Sequence, residues 1–374
     1  MSSARTGVMD LRLHHGSAPD WLVSRMVRLA SSIFTVIHDE FGSNEILVRL
    51  SDPLFFQACS NVLGFDWDSS GSTTVTCRAL KNAFEDRDVG VKAAGGKGAR
   101  SHETFCEIEK IAGRFDISAE TVERLVYCSR MTAKVDTAAI QAGYSIYHHV
   151  IFVSNDGAWA VVQQGMNLER RSARRYHWLS SRLKSFVCEP HTGIVGDIVH
   201  EHVLDMTNAK SEEARRVCVD LVNEKPDRMR RIYESIGSCG QASLTRWIEH
   251  DLGHKCIPHF RVLPRRIDWK ALGELYNTNP RDFEEVLAAK GVGAATVRGL
   301  ALVSELIYGQ PPSWSDPVRY SFAYGGKDGV PFPVDRGSMD ESIQLLSSAI
   351  EESRIGNKER LHALQRLRQY APPV

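Results

Sequence analysis

The sequence predicts an α+β protein that is mostly helical, with a small mixed α/β segment around a β-hairpin and a C-terminal helix-hairpin-helix module. Three observations predict this. Apolar residues recur at three- and four-residue spacing in stretches such as Trp21 to Ile37 and Phe283 to Ile307, the period of amphipathic helices. Two β-rich runs, Tyr147 to Val153 and Ala158 to Gln163, flank Asn155-Asp156-Gly157, a strong hairpin turn signal. Finally, Arg281 to Gly309 reads as helix, sharp glycine reversal, helix.

The totals bound what the chain can do. Its 374 residues suffice for two or three hydrophobic cores. Lys and Arg balance Asp and Glu at 46 each, so a polyanion would have to be held by local basic clusters rather than by bulk charge. Hydrophobic residues at 43% and charged residues at 25% are ordinary for a globular protein. There is no apolar run of membrane-spanning length, and MSSARTGVMD lacks a signal-peptide core, so a cytoplasmic protein with no membrane partner is expected. Eight cysteines without a CxxC pair read as reduced thiols. Composition and punctuation divide the chain into a helical or irregular region over 1–115, the mixed α/β segment over 116–205 that carries the candidate chemistry, a helical domain over 206–310, and a wrapping segment with final helices over 311–374.

Taken in order, Ser17, Pro19 and Asp20 open a helix whose apolar face runs Trp21, Leu22, Met26, Leu29, Ile33 and Ile37. Ser51, Asp52 and Pro53 start another, closed by Gly64. The stretch GFDWDSSGSTTVTC then reads as polar turns, in which Asp66 and Asp68 could serve a divalent cation. VKAAGGKGARS, from Val91 to Ser101, reads as a glycine-rich basic loop where Lys97 could sit beside an anion. It is not a nucleotide P-loop, since Gly98 follows Lys97 where that motif needs Ser or Thr, and no nucleotide cofactor is expected. Ser118 to Met131 reads as a capped helix. Beyond the strand pair, Arg170, Arg171, Arg174 and Arg175 with Tyr176 and Trp178 form the most basic patch, readable as a solvated face or as a surface for nucleic-acid backbone. Helices follow at Ser211 to Lys225, Leu244 to Leu252 and Trp269 to Tyr276, GGK recurs at Gly325 to Lys327, and a basic helix closes the chain from Lys358 to Tyr370.

In the hairpin module, Gly291 and Gly293 allow the reversal and Val292 can plug the angle between the helices. Free N–H groups through Thr296 would then face an anion, with Lys290 and Arg298 beside them. For chemistry, His148 and His149 face opposite sides of their strand, as do Gln163 and Gln164, so one of each pair can share a face. Lys134, Asp136, His149 and Gln164 are the candidate catalytic set, with Asp136 and His149 holding a magnesium or manganese ion or activating water, and Lys134 steadying a phosphate. Cys239, His250, His254, Cys256 and His259 cluster without matching a zinc spacing.

The motifs TGVMDLRLHHGSAPDWL, SRMTAKVDTAAIQ, YHHVIF, AVVQQGMN, ARRYHWLS, KGVGAATVRGLALVSELIYG and SDPVRYSFAYGGKDG together resemble the family catalogued as domain of unknown function 763, over nearly the whole chain. The resemblance implies a prokaryotic origin and a role in nucleic-acid transactions. One departure is His259 followed by Phe260, where the family pattern tends to show two adjacent histidines. The resulting expectation is a DNA-binding, metal-dependent nuclease in which Arg174 and Arg175 help position the strand; its oligomeric state is open, a homodimer included. The alternatives are a non-enzymatic DNA-binding protein of repair or defence and, as a minor reading, a base-excision glycosylase using Asp316.

Overall fold

Alternation along the strands of one sheet sends apolar side chains to both of its faces, so the sheet needs cover on both sides. The computed structural model describes residues 18–64, 70–196, 198–238, 263–264, 267–318, 336–353 and 356–370. Helices α1 (Asp20–Phe41), α2 (Ser43–Ser51), α3 (Pro53–Val62) and α4 (Gly71–Asp86) come first. Then follow β1 (Val91–Lys97), α5 (Thr104–Phe115), α6 (Ala119–Lys134) and a π-helical turn, Val135–Ala139. The strands continue as β2 (Ile140–Gln141), β3 (Ser145–Ser154), β4 (Trp159–Asn167), β5 (Ser172–Leu179), β6 (Gly193–Gly196) and β7 (Leu204–Asp205). Helices α7 (Glu212–Asn223), α8 (Pro226–Ser238), α9 (Trp269–Thr278), α10 (Phe283–Ala288), α11 (Ala294–Tyr308), α12 (Arg336–Glu352) and α13 (Asn357–Tyr370) complete the described chain. The fold is α+β.

The main sheet is antiparallel in the order β1-β3-β4-β5-β6, and β2 pairs with β7 beside it. Val150, Phe152, Ala160 and Val162 face a core built with α1 to α4, while Ile151, Val153, Trp159 and Val161 face the core of α6, α7 and α9 to α11. The Asn155-Asp156-Gly157 turn sets the register, with Ser154 N–H donating to Ala158 O at 2.9 Å. That pairing places Val153 opposite Trp159 and His149 opposite Gln163. The sheet takes a strand from each side of residue 115, and α12 and α13 pack on the N-terminal helices, where Leu346, Ile350, Ala363 and Leu367 join the first core.

Local signals act as expected where the chain is punctuated. Asp52 Oδ1 accepts from Leu54 N–H at 2.8 Å and caps α3, with Pro53 at its first turn. Ser118 Oγ accepts from Thr121 N–H and caps α6. Other segments differ from their local reading. Ser72 to Cys77, which look turn-forming, belong to α4, because Thr76 Oγ1 bonds Ser60 Oγ at 2.9 Å while Cys77, Leu80 and Phe84 enter the core. Val91–Lys97 is an edge strand rather than a loop. Trp21, expected on the apolar face of α1, is 62% exposed, whereas Met26, Leu29, Ile33 and Ile37 are buried as expected and Val23, Ala30 and Phe34 join them. The Asp66 and Asp68 pair, the Cys239 to His259 cluster, the helix at Leu244 to Leu252 and the second GGK lie outside the described residues. Among the described residues no helix is long and apolar enough to cross a membrane.

Candidate active site

Helix α6 ends at Lys134, one residue into the SRMTAKVDTAAIQ motif's Lys-Val-Asp run. A π turn, Val135–Ala139, follows it and holds Asp136 buried, an irregularity often found at functional sites. Asp136 is fully buried. Three donors meet it there: Trp178 Nε1 at 3.0 Å, His191 Nε2 at 2.5 Å, and Gln163 Nε2.

Gln163 fixes the next link. Its amide nitrogen donates to Thr132 O at 3.0 Å as well as to Asp136, so its oxygen is the acceptor toward His149 Nδ1, 2.8 Å away. The network therefore assigns the proton of His149 to Nδ1, leaving Nε2 to accept from Ser129 Oγ at 2.8 Å. Burial holds His149 below the usual imidazole range, with its Gln163 bond opposing that shift. Ser129, His149 and Gln163 thus have the connectivity of nucleophile, base and orienting group. Ser129 is only 3% exposed, however, so this end of the chain is enclosed.

The other end opens. His191, on the loop before β6, lies against Trp178 with ring centroids 4.3 Å apart, and lines a cavity of about 270 Å³ together with Glu189, Asp205, Thr207 and Asn208. Asp136 anchors Nε2, so when the ring is neutral its lone pair is on Nδ1. Asp205 is set opposite Ile140 by the β2–β7 pair, and its Oδ1 accepts from Thr207 N–H at 2.9 Å and Thr207 Oγ1 at 2.6 Å. Burial raises the Asp205 pKa, the Thr207 bonds opposing it. A carboxylate-anchored imidazole and a buried carboxyl with a raised pKa, lining one cavity, are the elements of general acid–base chemistry.

This geometry corrects the candidate set. Asp136 and His149 do not converge on a shared position, because Gln163 stands between them and both His149 nitrogens are engaged, so they do not fit as joint ligands of a magnesium or manganese ion. Among the described residues no group of three or more His, Cys, Asp or Glu side chains is placed to hold a metal. Gln164 points to the opposite face, donating to Ser70 O at 2.8 Å and accepting from Thr73 Oγ1. Lys134 Nζ donates to Ala289 O at 2.6 Å, so it braces the turn before α11 instead of facing Asp136. Partial burial lowers its pKa.

Arg174 and Arg175 are both 0% exposed, within β5, so they cannot touch a nucleic-acid strand in this conformation, and Tyr176 and Trp178 are core side chains. Arg174 Nη2 donates to Asp316 at 2.7 Å, and both side chains of that pair are sealed, which leaves Asp316 in a structural ion pair rather than free for glycosylase chemistry. Arg175 Nη2 donates to Gln57 Oε1 at 3.1 Å. Lys97 is exposed at the end of β1.

The turn from Ala289 to Gly293 separates α10 from α11. Gly291 has φ of 84°, and a Cβ there would sit 2.6 Å from that of Ala271, so glycine is required on both counts. Val292 is buried between the helices, whereas Lys290, Gly291, Ala294 and Ala295 are exposed. No side chain caps α11 at Gly293, and its first internal bond is Val297 N–H to Gly293 O at 3.0 Å. Thr296 is buried. Arg298 Nε donates to Gln141 Oε1 at 2.7 Å, and Gln141 Nε2 donates to Ala294 O and to Ala138 O, both at 2.8 Å. The tip of α11 is thereby tied to the π turn that carries Asp136.

Of the site residues that the candidate set lacks, His191 and Asp205 were not legible in the sequence, whereas Gln163 was. Counting outward from Asn155-Asp156-Gly157 would have put Gln163, not Gln164, opposite His149; nothing local marks His191 or Asp205. A family model described as "Protein of unknown function (DUF763)" matches residues 7–334. No curated protein and no solved structure matches the chain.

Proposed function

The chain belongs to the DUF763 family, and we propose that it is a DNA-binding protein that grips the phosphate backbone with the helix-hairpin-helix formed by α10 and α11. The observation that carries this reading is the exposed, uncapped start of α11. Ala294, Ala295 and Thr296 precede the first residue whose N–H bonds within the helix, and the positive end of the helix dipole lies at the same place. Lys290 stands exposed beside it, while Arg298 is held back on Gln141. Asp268, near Gly291, caps α9 and sets a limit on how closely an anion approaches from that side.

The expected chemistry is phosphodiester hydrolysis at the His191 cavity, with His191 as base and Asp205 as acid. What favours it over a purely binding role is the mechanical link from the α11 tip through Gln141 to the Asp136 turn. A non-enzymatic binder of repair or defence is the alternative.

Fluorescence anisotropy with labelled single- and double-stranded DNA tests the grip. Affinity should fall steeply between about 50 and 200 mM salt, and Lys290→Glu should weaken binding by about tenfold or more. No retention of either DNA at the low-salt end would end this reading. Cleavage assays on the same DNA, with magnesium, with manganese and with chelator, separate enzyme from binder: His191→Ala should abolish cutting while leaving affinity unchanged, and an inert wild-type protein that still binds DNA would select the binder.

A further inference from the structure

His148 presents the opposite problem to its neighbour. It is 2% exposed, yet neither ring nitrogen has a hydrogen-bond partner, an uncommon state for a buried polar side chain. Burial, helped by His149 and Lys97, pulls its pKa down to about 3, so near neutral pH the ring offers one donor and one acceptor. It forms part of the wall of a cavity of about 660 Å³ between α4, β1, the turn Gly98–Glu103 and β3. That size lies within the range of about 300–1,000 Å³ usual for small-molecule sites.

The charges are not evenly placed. Arg78, Lys97 and Arg100 line the cavity and are exposed. Gly96 lets Arg100 lie close, since a Cβ there would be 3.2 Å from that of Arg100. Of the two lining carboxylates, Glu107 is committed within the protein, accepting from Lys81 Nζ at 2.6 and 2.7 Å and from Gly95 N–H at 2.6 Å, whereas Glu103 stays exposed. Val75 and Val150 supply apolar wall. Three exposed cations against one exposed carboxylate suit a dianion, and guanidinium forks match phosphate oxygens.

We propose that this cavity binds a small phosphate monoester, its phosphate among Arg78, Lys97 and Arg100 and a polar group of its body bonded to His148. The site is independent of the hairpin and of the His191 cavity, because His148 and His149 face opposite sides of the sheet.

Calorimetric titration of the full chain with AMP, glucose 6-phosphate and phenyl phosphate, against adenosine and inorganic phosphate, tests it. At least one monoester should bind saturably and about tenfold or more tighter than both controls. The surface double variant Arg78→Ala/Arg100→Ala should lose that gain while keeping the wild-type melting temperature. His148→Phe should lose it too, and the imidazole ¹⁵N resonances of His148 should shift as the wild-type protein saturates. Lys290→Glu should leave it unchanged. Failure of all three monoesters to outbind the controls overturns the proposal, as does binding indifferent to the double variant or without any change at His148. Loss of DNA binding in the Lys290 variant, with monoester binding retained, keeps the two readings distinct.

Discussion

Replacing Asp316 with alanine is expected to cost about 3–5 kcal/mol of folding stability, a large share of the roughly 5–15 kcal/mol typical of a domain. The cost comes from what is left behind. Asp316 Oδ2 accepts from Arg174 Nη2 at 2.7 Å and from His200 N–H at 2.8 Å, and its Oδ1 accepts from Val318 N–H at 3.1 Å. Arg174 already has Nε and Nη1 without partners, and its guanidinium lies 4.6 Å from the Tyr144 ring centroid. Burial pulls the Arg174 pKa down, but Asp316 and its neighbours more than offset that and hold it above the usual value. Without the carboxylate, a full charge stays sealed in β5. Arg174→Met combined with Asp316→Ala should recover most of the loss, because it removes both charges together. Urea unfolding at unchanged m-value measures both variants. A loss below about 1 kcal/mol for the single variant would mean that water reaches the pair.

A second large effect is acid sensitivity beginning near neutrality. His148, His149 and His177 are all fully buried with pKa values lowered chiefly by that burial, His148 to about 3. Their ordinary value is about 6.5, so below that pH the unfolded chain takes up protons that the native state refuses. Stability is therefore complete above about pH 6.5 and falls as the pH drops, each histidine contributing about 1.4 kcal/mol per pH unit until its folded value is reached. Asp52 and Asp205 work the other way, since burial raises their carboxyls and the native state holds those protons more readily in acid. Their contribution enters in the carboxylate range, below the onset of the histidine effect. Unfolding free energies measured in steps from about pH 7.5 to 5 should decline steeply, and His148→Phe should make the decline shallower. A flat profile would show that the sheet does not seal these rings from solvent.

Parts of the fold follow from neighbours a few residues apart, and those parts were legible. The Asn155-Asp156-Gly157 turn fixed one hairpin and, by counting, its register. Asp52 with Pro53 and Ser118 each started a helix, and the glycine at 291 marked the reversal before α11. Such signals act through backbone dihedrals and capping bonds, which close within one turn. Segments whose local signals mislead have a different cause in common. Ser72 to Cys77 look like a turn because small polar residues favour one in isolation, yet partners on α3 and β4 satisfy Thr73 and Thr76 inside a helix. Arg174 and Arg175 look solvated because charged residues usually are, yet Asp316 and Gln57, 142 and 118 residues away, receive them in the interior.

The sequence by itself determined the α+β class, the family, the β-hairpin and the glycine reversal that presents the start of α11. Only the tertiary structure decided which side chains form a site: it put Gln163 between His149 and Asp136, brought His191 to Asp136 from 55 residues away, and left His148 unpartnered against a basic cavity. The reason is that a dihedral preference belongs to a residue and its neighbours, whereas burial, hydrogen-bond partners and pKa belong to whatever the rest of the chain packs around it.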